Sequence, residues 1–259
     1  MSNTRKPVSS KSGLTLGAIG VALGMSDFAQ TAMAQEPPPM KQAAVSQVRE
    51  TLGARQQAII PVAAFATAGD MAGLNKALNR GLDNGMSISD AREVLVQLYA
   101  YAGFPRSLNA LGELMKVVEA RKGRGIEDAP GREPSRPAPK GDALLAAGTE
   151  NQTRLSGAPV AGPLFQFAPV ANEYLRTHLF GDIFERDNLD WQSRELATVS
   201  MLSALPGAEA QLQAHMRMSM NTGVSAEQLR HLTQVLAERV SVETCRRASA
   251  ALERQLTSK

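Results

Sequence analysis

Two residues in the C-terminal half have the types and the spacing that proton transfer requires. Glu195 lies in RELATVSMLSAL, with Val199 and Leu202 following at i+4 and i+7, so its carboxylate is in line with an apolar stripe. His215 lies in AQLQAHMRMSM, with Leu212 at i−3 and Met218 at i+3. Pro206-Gly207 separates the two segments, which read as consecutive helices folding back on each other. A carboxyl and an imidazole that meet in a low-dielectric pocket can share a proton near neutral pH, as acid/base catalysis demands. The plainer alternative assigns Glu195 to a helix N-terminus, worth about 1 kcal/mol at most when exposed, and makes His215 a satisfied core histidine.

The other reactive groups are fewer. His178 sits in YLRTHLFGDIF beside Leu175 and Leu179, where it can pack or react, and His231 reads as solvated. Tyr101, in YAYAGFPRSLNAL, either brings a phenol to a pocket or packs with its hydroxyl at the rim. A single cysteine, Cys245, excludes an intramolecular disulfide and a CxxC centre, and three histidines supply an imidazole-only metal site poorly. Neither a metal nor a cofactor is expected. Phosphate-binding glycine loops, G-x-S-x-G and HExxH are all missing from the sequence.

The elements that hold these groups read as helices. With 43% hydrophobic and 20% charged residues the 259-residue chain has a globular composition, and a formal charge of +3 argues against a nucleic-acid partner. Residues 1–34 have the order of a secretory signal: Arg5, Lys6 and Lys11, then the apolar run Leu14–Met25, then Ala32-Met33-Ala34. Cleavage after Ala34 would give a periplasmic or secreted protein without a membrane segment. A tether over 35–46 leads to a first helical unit over 47–120. There Asp70 caps a run with Leu74, Leu78 and Leu82 on one face, Gly85 stops it, and Ser87 stands three residues before Asp90. Four prolines between Pro130 and Pro139 mark a linker, drawn over 121–164. A second unit over 165–259 has Asp190, Ser225 and Ser241 as helix caps. The halves align at an offset of 138 residues, with Gly85 on Gly223, Ser87 on Ser225 and Asp90 on Gln228, which favours a duplication. Long stretches of strand-like alternation are missing, so the fold class is all-α.

These same segments carry a family resemblance. REVLVQLYAYAGFPRSLNAL (92–111) resembles the second half of a carboxymuconolactone decarboxylase domain. HLFGDIFERDNLDWQSRELATVSMLSAL (178–205) with AEAQLQAHMRMSMNTGVSAEQLRHL (208–232) resembles its first and central parts. The chain is similar to exported, tandem-domain members of that family, which implies two tandem AhpD-like helical bundles and a homo-oligomer, a trimer for a tandem chain. The resemblance implies a cofactor-free lyase acting on a small carboxylated lactone or related acid, with Glu195 and His215 catalytic. Arg194 would anchor the substrate anion, with His178, Tyr101 and Glu93 as further substrate-binding residues. Hydroperoxide reductases of the same superfamily carry a CxxC whose places here hold Ala208 and Gln211, so that activity lacks its nucleophile. A third possibility is a periplasmic binding or assembly protein without catalysis. In the first half, Gln57 and Ala77 stand opposite Glu195 and His215, while Glu93 and Tyr101 remain. In the second half the YAGFP stretch has become ERVSVE. The expectation is one composite site per chain, or a second-half site completed by a neighbouring copy.

Overall fold

The structure is a computed structural model that describes residues 51–258, and the expected signal peptide and tether lie outside the described residues. Every regular element among the described residues is helical. The first half contains α1 (Ala54–Ala68), α2 (Met71–Asp83), α3 (Ile88–Gln97) and α4 (Tyr99–Gly123). Next, α5 (Asp142–Ser156) leads through the short α6 (Pro163–Phe167) and α7 (Pro169–Tyr174) into a π-helical segment, Leu175–Ile183. The second half then runs through α8 (Trp191–Ser203), α9 (Glu209–Asn221), α10 (Ala226–Arg239) and α11 (Val242–Thr257).

The helix ends fall where the capping residues put them. Ser87 and Ser225 each form a reciprocal capping box, with Asp90 and Gln228. Asp70, Asp190 and Ser241 accept from the backbone N–H groups of Gly73, Ser193 and Thr244. Each cap satisfies a donor that the first helical turn leaves free, a contribution of about 1 kcal/mol. Gly103, at φ +79°, breaks α4 after its first turn and redirects Tyr101 and Phe104. The bounds of α2 recur in α9 at the 138-residue offset, as do the starts of α3 and α10.

Two helices lie at the centre, α1 with a run of apolar and small residues and α8 with apolar and small residues around the buried Arg194 and Glu195. Ile59, Ile60, Val62, Ala63 and Ala64 of α1 are fully buried, as are Leu196, Ala197, Val199 and Met201 of α8. α1 packs directly on α8. Ile59 and Val62 join a cluster with Leu74, Leu78, Val94 and Leu95, which also takes in Ala197 and Met201 of α8. Ile60 and Ala64 join the opposite cluster, with Leu196, Val199, Leu212 and Leu232. Each half therefore supplies a central helix to the other's core, and the described residues form one compact unit.

The stretch expected as a linker over 121–164 is more ordered than its composition suggests. Its first part straps across the start of α3: Ile88 and Ser89 donate backbone N–H groups to the carbonyls of Ala129 and Pro130. Arg121 holds Asp128 and Asp83, both at 2.8 Å. Its second part is α5, which docks on the π-helical segment. The buried face of α5 is Gly148, Asn151, Gln152 and Leu155, a small and polar stripe without the apolar period that marks a helix. Asn151 Nδ2 donates to the Phe180 carbonyl at 2.9 Å and to Glu185 at 2.8 Å. At Gly148 an added Cβ would come within 1.8 Å of the Arg176 carbonyl oxygen. Gly148→Ala should therefore push α5 off its seat and destabilise the protein by about 1–3 kcal/mol. Chemical denaturation, with hydrogen exchange over 142–156, checks this; an unchanged midpoint with full α5 protection would contradict the close approach.

Candidate active site

Asp190 starts α8, and Glu195 sits one and a half turns inside it. Pro206-Gly207 reverses the chain, so α9 packs back on α8 and carries His215 to the same level. His215 Nδ1 lies 2.8 Å from Glu195 Oε2. The carboxylate is fully buried and the histidine is 7% exposed. Glu195 Oε1 accepts no hydrogen bond from the protein. A buried carboxylate oxygen without a partner is a rare feature in a folded protein and marks a place where polar chemistry can occur.

The third member arrives from the first half. The Tyr101 ring stands edge-on to the His215 imidazole, with centroids 5.6 Å apart and an interplanar angle of 78°. Tyr101 touches all three apolar clusters of the molecule, and so lies where they meet. Burial, and then the Glu195 charge, push its phenol above the ordinary range, so it remains a neutral O–H donor. The Thr198 hydroxyl donates to the Arg194 carbonyl at 3.0 Å and lies 3.2 Å from the Tyr101 hydroxyl. Gln97 Nε2 donates to that threonine at 2.7 Å. Thr198 and Gln97 were not among the expected site residues. The one signal in the sequence was a polar side chain on the apolar faces of α3 and α8.

Arg194 and Glu93 take a different part from the one expected. The Arg194 side chain is fully buried, and Nη2 donates to Glu93 Oε2 at 3.1 Å and to the Arg186 carbonyl at 2.8 Å. Arg186 grips the other side of Glu93, at 2.6 and 2.9 Å. The two guanidinium groups share one carboxylate, which ties α3 to α8 and to the turn before it. Committed in this way, Arg194 and Glu93 are not free to hold a substrate anion. Burial works against ionising Glu93, but the Arg186 hydrogen bond and the Arg194 charge outweigh it, and its pKa falls from an ordinary 4.5 to about 2. A depressed carboxyl pKa stabilises the fold above the unfolded value and stops doing so below the folded one. Glu93 should therefore contribute about 3 kcal/mol above pH 5, lost as the pH falls from about 4.5 towards 2. Denaturation of the wild type and Glu93→Gln across pH 2–7 measures this, and a difference that stays constant to pH 2 would contradict it.

His178 stands apart from the couple. It is on the π-helical segment with its side chain 54% exposed, and Nδ1 lies 3.1 Å from Asp182. His231 Nδ1 accepts the backbone N–H of Leu52 at 3.0 Å, which gives it a structural partner. Cys245, on α11, lies 3.7 Å from the Ser249 hydroxyl. Three cavities lie away from Glu195 and His215. The cavities of about 380 and 390 Å³ open between α1, α2 and Arg239, and one of about 430 Å³ opens beside Arg154 and Trp191. None of these three is lined by Glu195 or His215.

Among the described residues the protein is all-helical, and its buried carboxylate and imidazole come from consecutive helices. Residues 169–254 match the carboxymuconolactone decarboxylase family and form a domain of that family, which includes α7 to α10 and most of α11. Glu195 and His215 both lie inside the match, whereas Tyr101, Glu93 and Gln97 lie outside it. No curated protein matches the chain.

Proposed function

We propose that this protein is a cofactor-free lyase that removes carbon dioxide from a small carboxylated lactone or a related acid. The observation that carries this reading is the buried hydrogen bond between Glu195 and His215, within a domain of the decarboxylase family. In the proposed reaction, the bond from the substrate carbon to its carboxylate breaks, carbon dioxide leaves, and the electron pair remains on the substrate as an enolate. Glu195 holds Nδ1–H of the imidazole and so presents Nε2 to the substrate. A protonated His215 gives its Nε2 proton to the carbon that has lost its carboxylate, and solvent then restores it. In this reading the Tyr101 hydroxyl, kept neutral, turns from Thr198 to donate to the enolate oxygen as charge develops there.

Tyr101 belongs to the first half and the couple to the second, which supports one composite site per chain and a first half kept chiefly as scaffold. The recurrence of helix bounds at the 138-residue offset supports an origin by duplication of one helical bundle. Self-association is part of the proposal. Phe104, Leu108 and Met115 are each about 60% exposed along one face of α4, where a second copy can cover them. The test of the lyase reading is carbon dioxide release from a panel of carboxylated lactones and keto acids. Release from at least one is expected, and release from none would contradict the reading.

A further inference from the structure

The 138-residue offset makes the counterpart of the catalytic couple identifiable in the first half. Gln57 stands in the place of Glu195 and Ala77 in that of His215. Losing an imidazole at position 77 leaves room, and the room is there: two adjoining cavities of about 380 and 390 Å³ share Pro61, Ala77, Arg80 and Arg239. Arg239 occupies the position that corresponds to Tyr101. Arg239 Nη2 donates to Gln57 Oε1 at 3.0 Å, a hydrogen bond without a counterpart between Tyr101 and Glu195. Where one site brings together an acid, an imidazole and a phenol, its counterpart brings together an amide, a methyl group and a guanidinium.

The charge has also changed sign. Arg80, Arg239 and Lys76 all line this space, and none of them pairs with an acid among the described residues. The one carboxylate on the wall, Asp70, is engaged in capping α2 through the Gly73 N–H. The rest of the wall combines the amides of Gln57 and Asn84 with apolar or small residues, among them Ala58, Pro61, Phe65 and Ala77. Guanidinium groups without a counter-charge beside apolar surface, in a volume of this size, suit a ligand with an anionic head and a compact apolar body. Without an acid/base pair the site can bind but not turn over.

We propose that this α1–α2–Arg239 pocket is a second, non-catalytic binding site for a small organic carboxylate, separate from the Glu195–His215 couple. The test uses the full chain and benzoate as the probe, followed by calorimetry and by NMR shifts. Saturable binding is expected, with benzylamine, which has the same ring and the opposite charge, failing to compete. Arg239→Gln should weaken benzoate at least tenfold, and Ala77→Leu should fill the space and abolish binding. Arg80→Gln, an exposed change, gives a second charge test should Ala77→Leu not fold. Glu195→Gln with His215→Ala should leave benzoate affinity unchanged, whatever the outcome for lyase activity. The proposal is overturned if benzoate does not saturate, if Arg239→Gln and Arg80→Gln both bind as the wild type does, or if the Glu195/His215 double variant loses the site.

Discussion

Glu195→Gln and His215→Ala should each leave a folded protein whose decarboxylation rate has fallen by about a hundred- to ten-thousandfold. The reason is geometric. His215 is held by a single bond of 2.8 Å to Glu195 Oε2, and that bond sets which ring nitrogen faces the exterior. An amide at position 195 can present its N–H to Nδ1 instead, which reverses the tautomer and removes the carboxylate that supports a positive charge on the ring. An alanine at 215 removes the proton carrier altogether. The double variant should be little worse than either single one, because the two residues act as a unit. Tyr101→Phe should cost less, since the ring contact at 5.6 Å survives and only a hydrogen-bond donor is lost. His178→Ala should leave turnover unchanged, because that imidazole is exposed and faces Asp182. Steady-state rates across the set, alongside circular dichroism, check the order. Equal losses at 178 and 215 would place the chemistry elsewhere.

The largest effect on stability is expected at Glu93. Glu93→Gln leaves the fully buried Arg194 guanidinium, and Arg186 beside it, without their shared counter-charge. Breaking a buried pair from one side costs about 3–5 kcal/mol, which for a chain of this size corresponds to a fall of roughly 10 °C in melting temperature. Replacing both partners, with Glu93→Leu and Arg194→Met, should recover much of that loss, because no uncompensated charge is then left in the core. Thermal denaturation of the single and double variants measures the coupling. A double variant as unstable as the sum of the singles would mean that the ion pair contributes nothing beyond its parts.

The contrast between these two sites shows which features short-range sequence patterns can reveal. Glu195 and His215 were legible because each lies on an apolar face and a Pro-Gly turn separates their helices by a few residues. The serine and aspartate caps at 70, 87, 190, 225 and 241 were legible for the same reason, since a cap and its N–H partner are three residues apart. The ion pair of Arg194 with Glu93 was not legible, because its partner is 101 positions away, on a helix that nothing local ties to α8. The helix α5 was hidden by its own interface. It docks through a glycine, two amides and one leucine, so its buried face carries little hydrophobic signal. The sharing of α1 and α8 between the two apolar clusters was also out of reach. All-round apolar sequence predicts burial of a helix but not which neighbours bury it.

The central claim is that the His215 imidazole, steered by Glu195, hands a proton to the substrate carbon. Running the decarboxylation in deuterium oxide and reading the product by NMR tests this most directly. Delivery from a fixed imidazole places one deuterium at that carbon, on one face only. A label spread over both faces, or a stereospecific label that persists at the wild-type rate in His215→Ala, would contradict it.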